Sequence, residues 1–253
     1  MADIIVQAFQ QAINLIANGD PEVYATVYRT IYVAGFGTLL SCLWSIPLAV
    51  IIGLHNFRGK WIIKGIFNAL IGIPTVALGL VLFLLFSRQG QLGFLNLLYT
   101  LNGIAIGQAI LVTPIIVSFT ANALDKADTQ LRDLAKTLGA SSFRTNLTLI
   151  RETFWSMMLS ITAAFNRGFG ELGIATIIGG SLAGETRVLT TSIALDLNRG
   201  DFDSAMAYGV ILMAIVIVLA LTVSLVERVR NEDLGWSKLM LWNGFRRKGK
   251  LER

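Results

Sequence analysis

The sequence predicts an all-α integral membrane protein of about five transmembrane helices, preceded by an amphipathic helix lying in the membrane interface. Three observations carry that prediction. Apolar residues make up 54% of the 253 positions and charged residues only 15%, with a mean hydropathy of +0.65, far from the average of a water-soluble domain. Charge-free apolar runs exceed the roughly 18 residues that mark a spanning helix. Lys and Arg gather on alternate connections between those runs, as a fixed orientation in the bilayer requires.

In chain order, Ile5, Ala8, Phe9, Ala12, Ile13 and Ile16 recur at helical spacing, which predicts an interfacial segment over 1–24 whose helix ends at Asn18-Gly19-Asp20-Pro21. Gln7, Gln10 and Gln11 interrupt its apolar run, and Asp3 stands where a secretory signal carries basic residues, so no cleaved leader is expected. The membrane domain follows over 25–227, with spans expected at 30–54, 65–86, 103–121, 153–179 and 205–226. The first carries Gly37, Ser41, Ser45, Ala49 and Gly53 at an unbroken four-residue interval, a seam along which another helix can approach, from the same chain or from another subunit. Pro47, Pro74 and Pro114 each fall inside a span, where the lost backbone donor predicts a kink.

Segments 55–64, 122–152 and 227–253 carry three, five and eight Lys or Arg, whereas 1–29, 87–102 and 180–204 carry one, one and two. That asymmetry places the N-terminus outside and puts both the 122–152 connection and the basic tail over 228–253 in the cytoplasm. The tail is expected to meet anionic lipid headgroups. The formal charge of +5 thus has a membrane explanation, and no nucleic-acid partner is expected.

The residues for catalysis or metal binding are missing. His55 is the single histidine and Cys42 the single cysteine, so neither an intramolecular disulfide nor a Cys/His ligand set can form. Gly244-Phe245-Arg246-Arg247-Lys248-Gly249-Lys250-Leu251 has the spacing of a phosphate-binding loop up to its lysine, but Leu251 replaces the required hydroxyl and no strand precedes it. The chain is therefore expected to be no enzyme and to hold no cofactor or metal.

The 122–152 connection is too long and too patterned for a simple turn. Leu131, Leu134, Ala135 and Leu138 recur at helical spacing, Gly139 stops that helix, and Ser141-Ser142 offers N-caps for a second one running from Phe143 to Ile150. The expected product is a helix–turn–helix hairpin on the cytoplasmic side. Its Asp133-Leu134-Ala135, Gly139 and Leu149-Ile150-Arg151-Glu152 resemble the Glu-Ala-Ala, Gly and Ile-x-Leu-Pro signature of permease subunits of ATP-binding cassette importers. Asp replaces Glu, Leu replaces the first Ala, and the closing Leu-Pro is absent.

The resemblance sharpens at Ala164-Phe165-Asn166-Arg167-Gly168-Phe169-Gly170-Glu171-Leu172-Gly173, followed by Gly184-Glu185-Thr186-Arg187 and Leu189-Thr190-Thr191. This order is similar to the molybdate and tungstate permeases. The Asn18 to Glu22 opening and Arg199-Gly200-Asp201-Phe202 look most like tungstate permeases.

The resemblance implies a type I importer permease fold in the plasma or inner membrane. It implies a homodimer with the anion path between two copies. It also implies two cytoplasmic ATPase subunits that bind the ATP and Mg, and an extracytoplasmic oxyanion-binding protein. The residues that would seat in the ATPase are Asp133, Leu134, Ala135, Leu138, Gly139 and Ala140. Other readings stay open: a molybdate, sulfate or other-solute importer, a passive anion channel, or a helical scaffold.

Arg167 and Glu171 stand one helical turn apart, where their side chains can pair, and Ser160 and Ala164 lie on the same face. A charge at the bilayer centre costs roughly 2.5–3.5 kcal/mol even on the permissive insertion scale, so the pair is expected to face the interior of a bundle. One reading makes Arg167 an electropositive element of a hydrated anion path, with Glu171 fixing it and Asn166 and Ser160 beside it. The other makes the two a structural ion pair. Residues 180–204 are expected to form an outward loop able to dock a substrate-binding protein or guide the anion.

Overall fold

A computed structural model describes residues 2–137 and 141–222, and every regular element among them is a helix. They are α1 (Ala2–Ala17), α2 (Pro21–Leu54), α3 (Lys60–Leu70), α4 (Thr75–Phe86), α5 (Leu101–Thr137), α6 (Ser142–Phe169), α7 (Gly173–Gly179) and α8 (Leu189–Arg199), then α9 (Phe202–Thr222). The chain divides into two compact units, residues 1–210 and 211–253. The basic tail expected over 228–253 lies outside the described residues.

Helix α2 begins at Pro21, inside the segment assigned from sequence to the interfacial region. Asp20 decides this locally: its Oδ1 accepts the Glu22 N–H at 2.9 Å and the Val23 N–H at 3.2 Å, and Pro21 has no N–H to leave orphaned. The Tyr24 hydroxyl donates to the Ile16 carbonyl at 2.9 Å and ties the two helices together. Phe9, Ile13 and Ile16 of α1 are exposed while Ala12 is buried, consistent with an apolar face turned to lipid.

At the centre α5 packs against α2, α3, α6 and α7. The small-residue seam of α2 is what permits the α2–α5 contact. A Cβ on Gly37 would lie 2.8 Å from the Ala105 carbonyl oxygen, and one on Gly53 would lie 2.7 Å from the Leu124 Cβ. Between them Ser41 meets Thr113, Oγ to Oγ1, at 3.0 Å, and meets Ser45 at 3.1 Å. The seam is thus an intrachain contact, in which close backbone approach gains dispersion and hydroxyls find partners away from water.

Three expected spans differ from their sequence outlines. The second, 65–86, is not one helix, because α3 and α4 meet at 97°. Helix α3 closes with tight turns, the Gly72 N–H bonding to Ala69 and the Ile73 N–H to Leu70. Pro74 cannot donate and restarts the chain as the N-cap of α4. The third span does not stop at its expected end, 121: α5 runs unbroken to Thr137, so the expected first hairpin helix is its extension.

The fourth span is interrupted. Helix α6 starts at the expected cap, where Ser141 Oγ accepts the Arg144 N–H, and continues from the hairpin to Phe169. Gly170 then ends it, and the seven-residue α7 follows.

By length and composition, Pro21–Leu54, Leu101–Ala127 and Phe202–Thr222 can each cross a membrane among the described residues, and the bent α3–α4 pair would make a fourth. Helix α6 carries Arg144, Arg151, Glu152 and Arg167.

Candidate functional site

The break between α6 and α7 organises the charged site. Glu171 does not continue the α6 helix, as the one-turn spacing suggested; it lies in the connection, with its N–H on the Gly168 carbonyl at 3.1 Å. Its carboxylate then serves two ends. Oε2 accepts from Arg167 Nη1 at 2.6 Å, while Oε1 accepts the N–H groups of Gly173 at 2.8 Å and Ile174 at 3.3 Å, the first donors of α7. The Thr190 hydroxyl of α8 donates to the Glu171 carbonyl at 2.9 Å. A Cβ at Gly173 would sit 2.8 Å from Thr75 Oγ1 and 3.2 Å from Glu171 Oε1, so glycine lets the start of α4 close over the carboxylate.

The two charges differ in exposure: the Glu171 side chain is 3% exposed and that of Arg167 is 37% exposed. A carboxylate burying its charge against a guanidinium and two backbone N–H groups is well compensated. A guanidinium has five donors, and the Glu171 bond uses only Nη1. A half-exposed, partly neutralised guanidinium can contact a passing anion without holding it as a bare arginine would.

The remaining members of the predicted group occupy different surroundings. Asn166 is half-buried with an unpartnered Oδ1. Ser160 is fully buried; its Oγ meets Thr120 Oγ1 at 2.8 Å and donates to the Met157 carbonyl at 2.7 Å, joining α6 to α5. Arg167 and Glu171 are therefore in direct contact, whereas Ser160 is engaged with α5.

Sequence reading missed Gln108, which is 4% exposed with an unpartnered Oε1. It lies against the last turn of α6, where a Cβ on Gly168 would be 3.4 Å away. A lone Gln inside an apolar run was the available signal.

Of the residues expected to meet an ATPase, Asp133, Leu134 and Ala135 lie in the backbone of α5, while Leu138, Gly139 and Ala140 fall outside the described residues. Just before them sits a charge cluster that the sequence analysis counted only toward orientation. Lys60 Nζ donates to Asp125 Oδ1 at 2.6 Å and to the Gly53 carbonyl at 3.0 Å, and Lys64 Nζ donates to Asp125 Oδ2.

Beyond α7, Arg29 donates to the Gly184 carbonyl at 2.8 Å and Arg187 to Glu22 Oε1 at 3.2 Å. Both bonds pin the expected outward loop to α2. Glu22, Arg187, Ser192, Asp196, Ser204 and Tyr208 line a polar cavity of about 170 Å³ there. Burial, then the charge of Asp201, pushes the Asp196 carboxyl above the ordinary range. Asp201 caps α9 through the Ser204 N–H at 3.1 Å, which holds its own carboxyl below that range.

The sequence has clear relatives. Residues 45–230 match the family described as binding-protein-dependent transport system inner membrane component. The chain is 34% identical over 213 residues to a tungstate uptake system permease protein of Peptoclostridium acidaminophilum, covering 84% of this chain and 93% of that one. It is 32% identical to a protein of the same description from Campylobacter jejuni, covering 86% and 91%. A sulfate transport system permease protein of Salmonella typhimurium is 26% identical, covering 82% and 78%. The matched region takes in the small-residue seam from Ser45 on, the bent α3–α4 pair, the whole of α5 and the Arg167–Glu171 site, and the chain belongs to the family of binding-protein-dependent transport system inner membrane components.

Proposed function

We propose that this chain is the membrane-spanning subunit of an ATP-driven importer that carries a tetrahedral oxyanion, tungstate first, from an external binding protein into the cell. The observation that carries the reading is the identity of 34% and 32% to two tungstate uptake permeases over 84% and 86% of the chain. The half-exposed Arg167 held by a buried Glu171 supports it, since such a group attracts a dianion without trapping it.

In this reading five crossings are made by α2, the bent α3–α4 pair, α5, α6 with α7, and α9, with the N-terminus outside. Two copies flank the path, to which Arg167, Glu171, Asn166 and Ser160 belong, Ser160 by holding α6 onto α5. Two ATPase subunits supply ATP and Mg below and seat the hairpin over 122–152 through Asp133, Leu134, Ala135, Leu138, Gly139 and Ala140. The basic tail over 228–253 lies against anionic headgroups, and residues 1–24 form the outer interfacial segment together with the start of α2.

Reconstitution in vesicles with the cognate ATPase and binding protein, measuring ATP-dependent uptake of tungstate, molybdate and sulfate, tests the whole scheme. Tungstate uptake that stops without ATP is expected. Uptake of none of the three refutes the oxyanion assignment, and uptake without the ATPase favours a passive channel. A sulfate importer is the second reading, favoured by the 26% identity to a sulfate permease over 82% of the chain, and a sulfate preference in the same assay would select it.

A further inference from the structure

Lysines placed on an inner loop only to orient a chain extend toward headgroups and water. Lys60 and Lys64 do not: their side chains are 14% and 22% exposed, and both turn onto one carboxylate, Asp125. Lys60 and Lys64 stand one turn apart on α3 and repel each other unless an anion lies between them. Asp125 offers one oxygen to each. Lys60 also reaches the Gly53 carbonyl at the end of α2, so Asp125 and Lys60 together tie α5 to the start of α3 and the end of α2.

The same helix that carries Asp125 continues without a break through Asp133, about 12 Å beyond at 1.5 Å per residue, and Leu134 and Ala135 to Thr137. In the other direction, α3 leads through its 97° bend into α4. There Thr75 lies against Gly173, and Gly79 packs on Ile177 of α7, where an added Cβ would lie 3.1 Å from the Ile177 side chain. Gly173 is the residue whose N–H Glu171 accepts. A contiguous set of packed helices and ion pairs therefore runs from the extension of α5 to the Arg167–Glu171 site.

We propose that Asp125 is a positioning residue of the transport cycle, gripping Lys60 and Lys64 so that displacement of the hairpin moves the bent α3–α4 pair and, through it, the Arg167–Glu171 site. The role rests on the reading that residues 122–152 receive the ATPase. Without the grip, α5 slides past α3 and the ATPase turns over with less movement at the site.

The test is the complete transporter in vesicles, parent and Asp125→Asn, with tungstate uptake and ATP hydrolysis read from one sample. The expected result is hydrolysis within about twofold of the parent, uptake lower by about tenfold or more, and recovery of most uptake in Asp125→Glu. Lys60→Gln combined with Lys64→Gln should give the same loss, and adding Asp125→Asn should take away nothing further. This lysine pair also serves if Asp125→Asn fails to assemble.

An unchanged number of anions moved per ATP in these variants overturns the proposal. That includes a fall of hydrolysis and uptake in step, which marks packing alone. The hairpin reading has a separate control: a Gly139→Trp chain that still binds the ATPase and couples as the parent does refutes that reading, whatever the Asp125 variants show.

Discussion

Arg167 and Glu171 are joined at 2.6 Å across the point where α6 stops, and the same carboxylate caps α7 through the Gly173 N–H at 2.8 Å. The pair is thus a hinge pin as well as a charge pair. Glu171→Ala is expected to destabilise the chain by about 2 kcal/mol, below the usual cost of breaking a buried pair because Arg167 keeps access to solvent. Glu171→Gln, which can still accept the backbone N–H groups, should lose less. Thermal unfolding of the purified variants in detergent checks the order, and equal melting temperatures for both would refute the capping role.

Arg167→Gln separates the two roles of the arginine. If it serves the path, ATP-dependent tungstate uptake per folded transporter should fall by about tenfold, the scale of one charge-assisted contact, in addition to the lower melting temperature that leaving the buried Glu171 carboxylate unpaired brings. Unchanged uptake would leave the arginine a structural partner of Glu171 alone.

The α2–α5 seam predicts a position-specific sensitivity to one methyl group. Gly53→Ala places a Cβ 2.7 Å from the Leu124 Cβ and Gly37→Ala places one 2.8 Å from the Ala105 carbonyl oxygen. Each should cost about 1–3 kcal/mol by overpacking. Gly35→Ala meets nothing within 4 Å and should be neutral or slightly stabilising by helix propensity. Melting temperatures that do not separate Gly35 from the other two would contradict the close approach.

Ser160 gives a buried hydroxyl test. Ser160→Ala removes the 2.8 Å contact with Thr120 and leaves that hydroxyl buried, at a cost of about 1 kcal/mol. Pairing it with Thr120→Val should cost less than the sum of the two single changes, which a double-mutant cycle on thermal unfolding measures.

Asp196 supplies a pH dependence of definite sign. Burial and the neighbouring Asp201 charge raise its carboxyl in the folded chain, so the fold favours the protonated form. Its contribution to stability is greatest below the ordinary carboxylate value and is lost as pH rises through the raised one. Asp196→Asn should therefore raise the melting temperature at pH 7, with the advantage shrinking as pH falls through the raised value and gone below about pH 4. An advantage that grows on acidification would be inconsistent with this.

Much of the fold was legible because its causes are local. The four-residue glycine and serine interval of α2 and the Ser141 cap each follow from the residues at those positions and appear where expected, whereas α2 starts at Pro21, inside the expected interfacial segment. Helix bounds were less legible because the end of an apolar run does not end a helix: nothing between 121 and 137 breaks the backbone, so α5 runs past the expected end of the third span. Arg167 and Glu171 were found from their spacing, yet that spacing suggested a continuous helix, and the Gly170 break turned Glu171 into a cap for α7.

By itself the sequence determined the membrane as solvent, the helical class, the seam and the charged pair. Each depends on hydropathy, periodicity or the chemistry of neighbouring residues. The kink expected at Pro74 is present, bending the second expected span by 97°, whereas tertiary structure alone decided that Ser160 is taken up by Thr120 and that Lys60 and Lys64 converge on Asp125. Those outcomes join residues 40 to 65 positions apart. The partner of a buried hydroxyl or of a charge near the membrane edge is set by which helices pack together, and no local pattern encodes it.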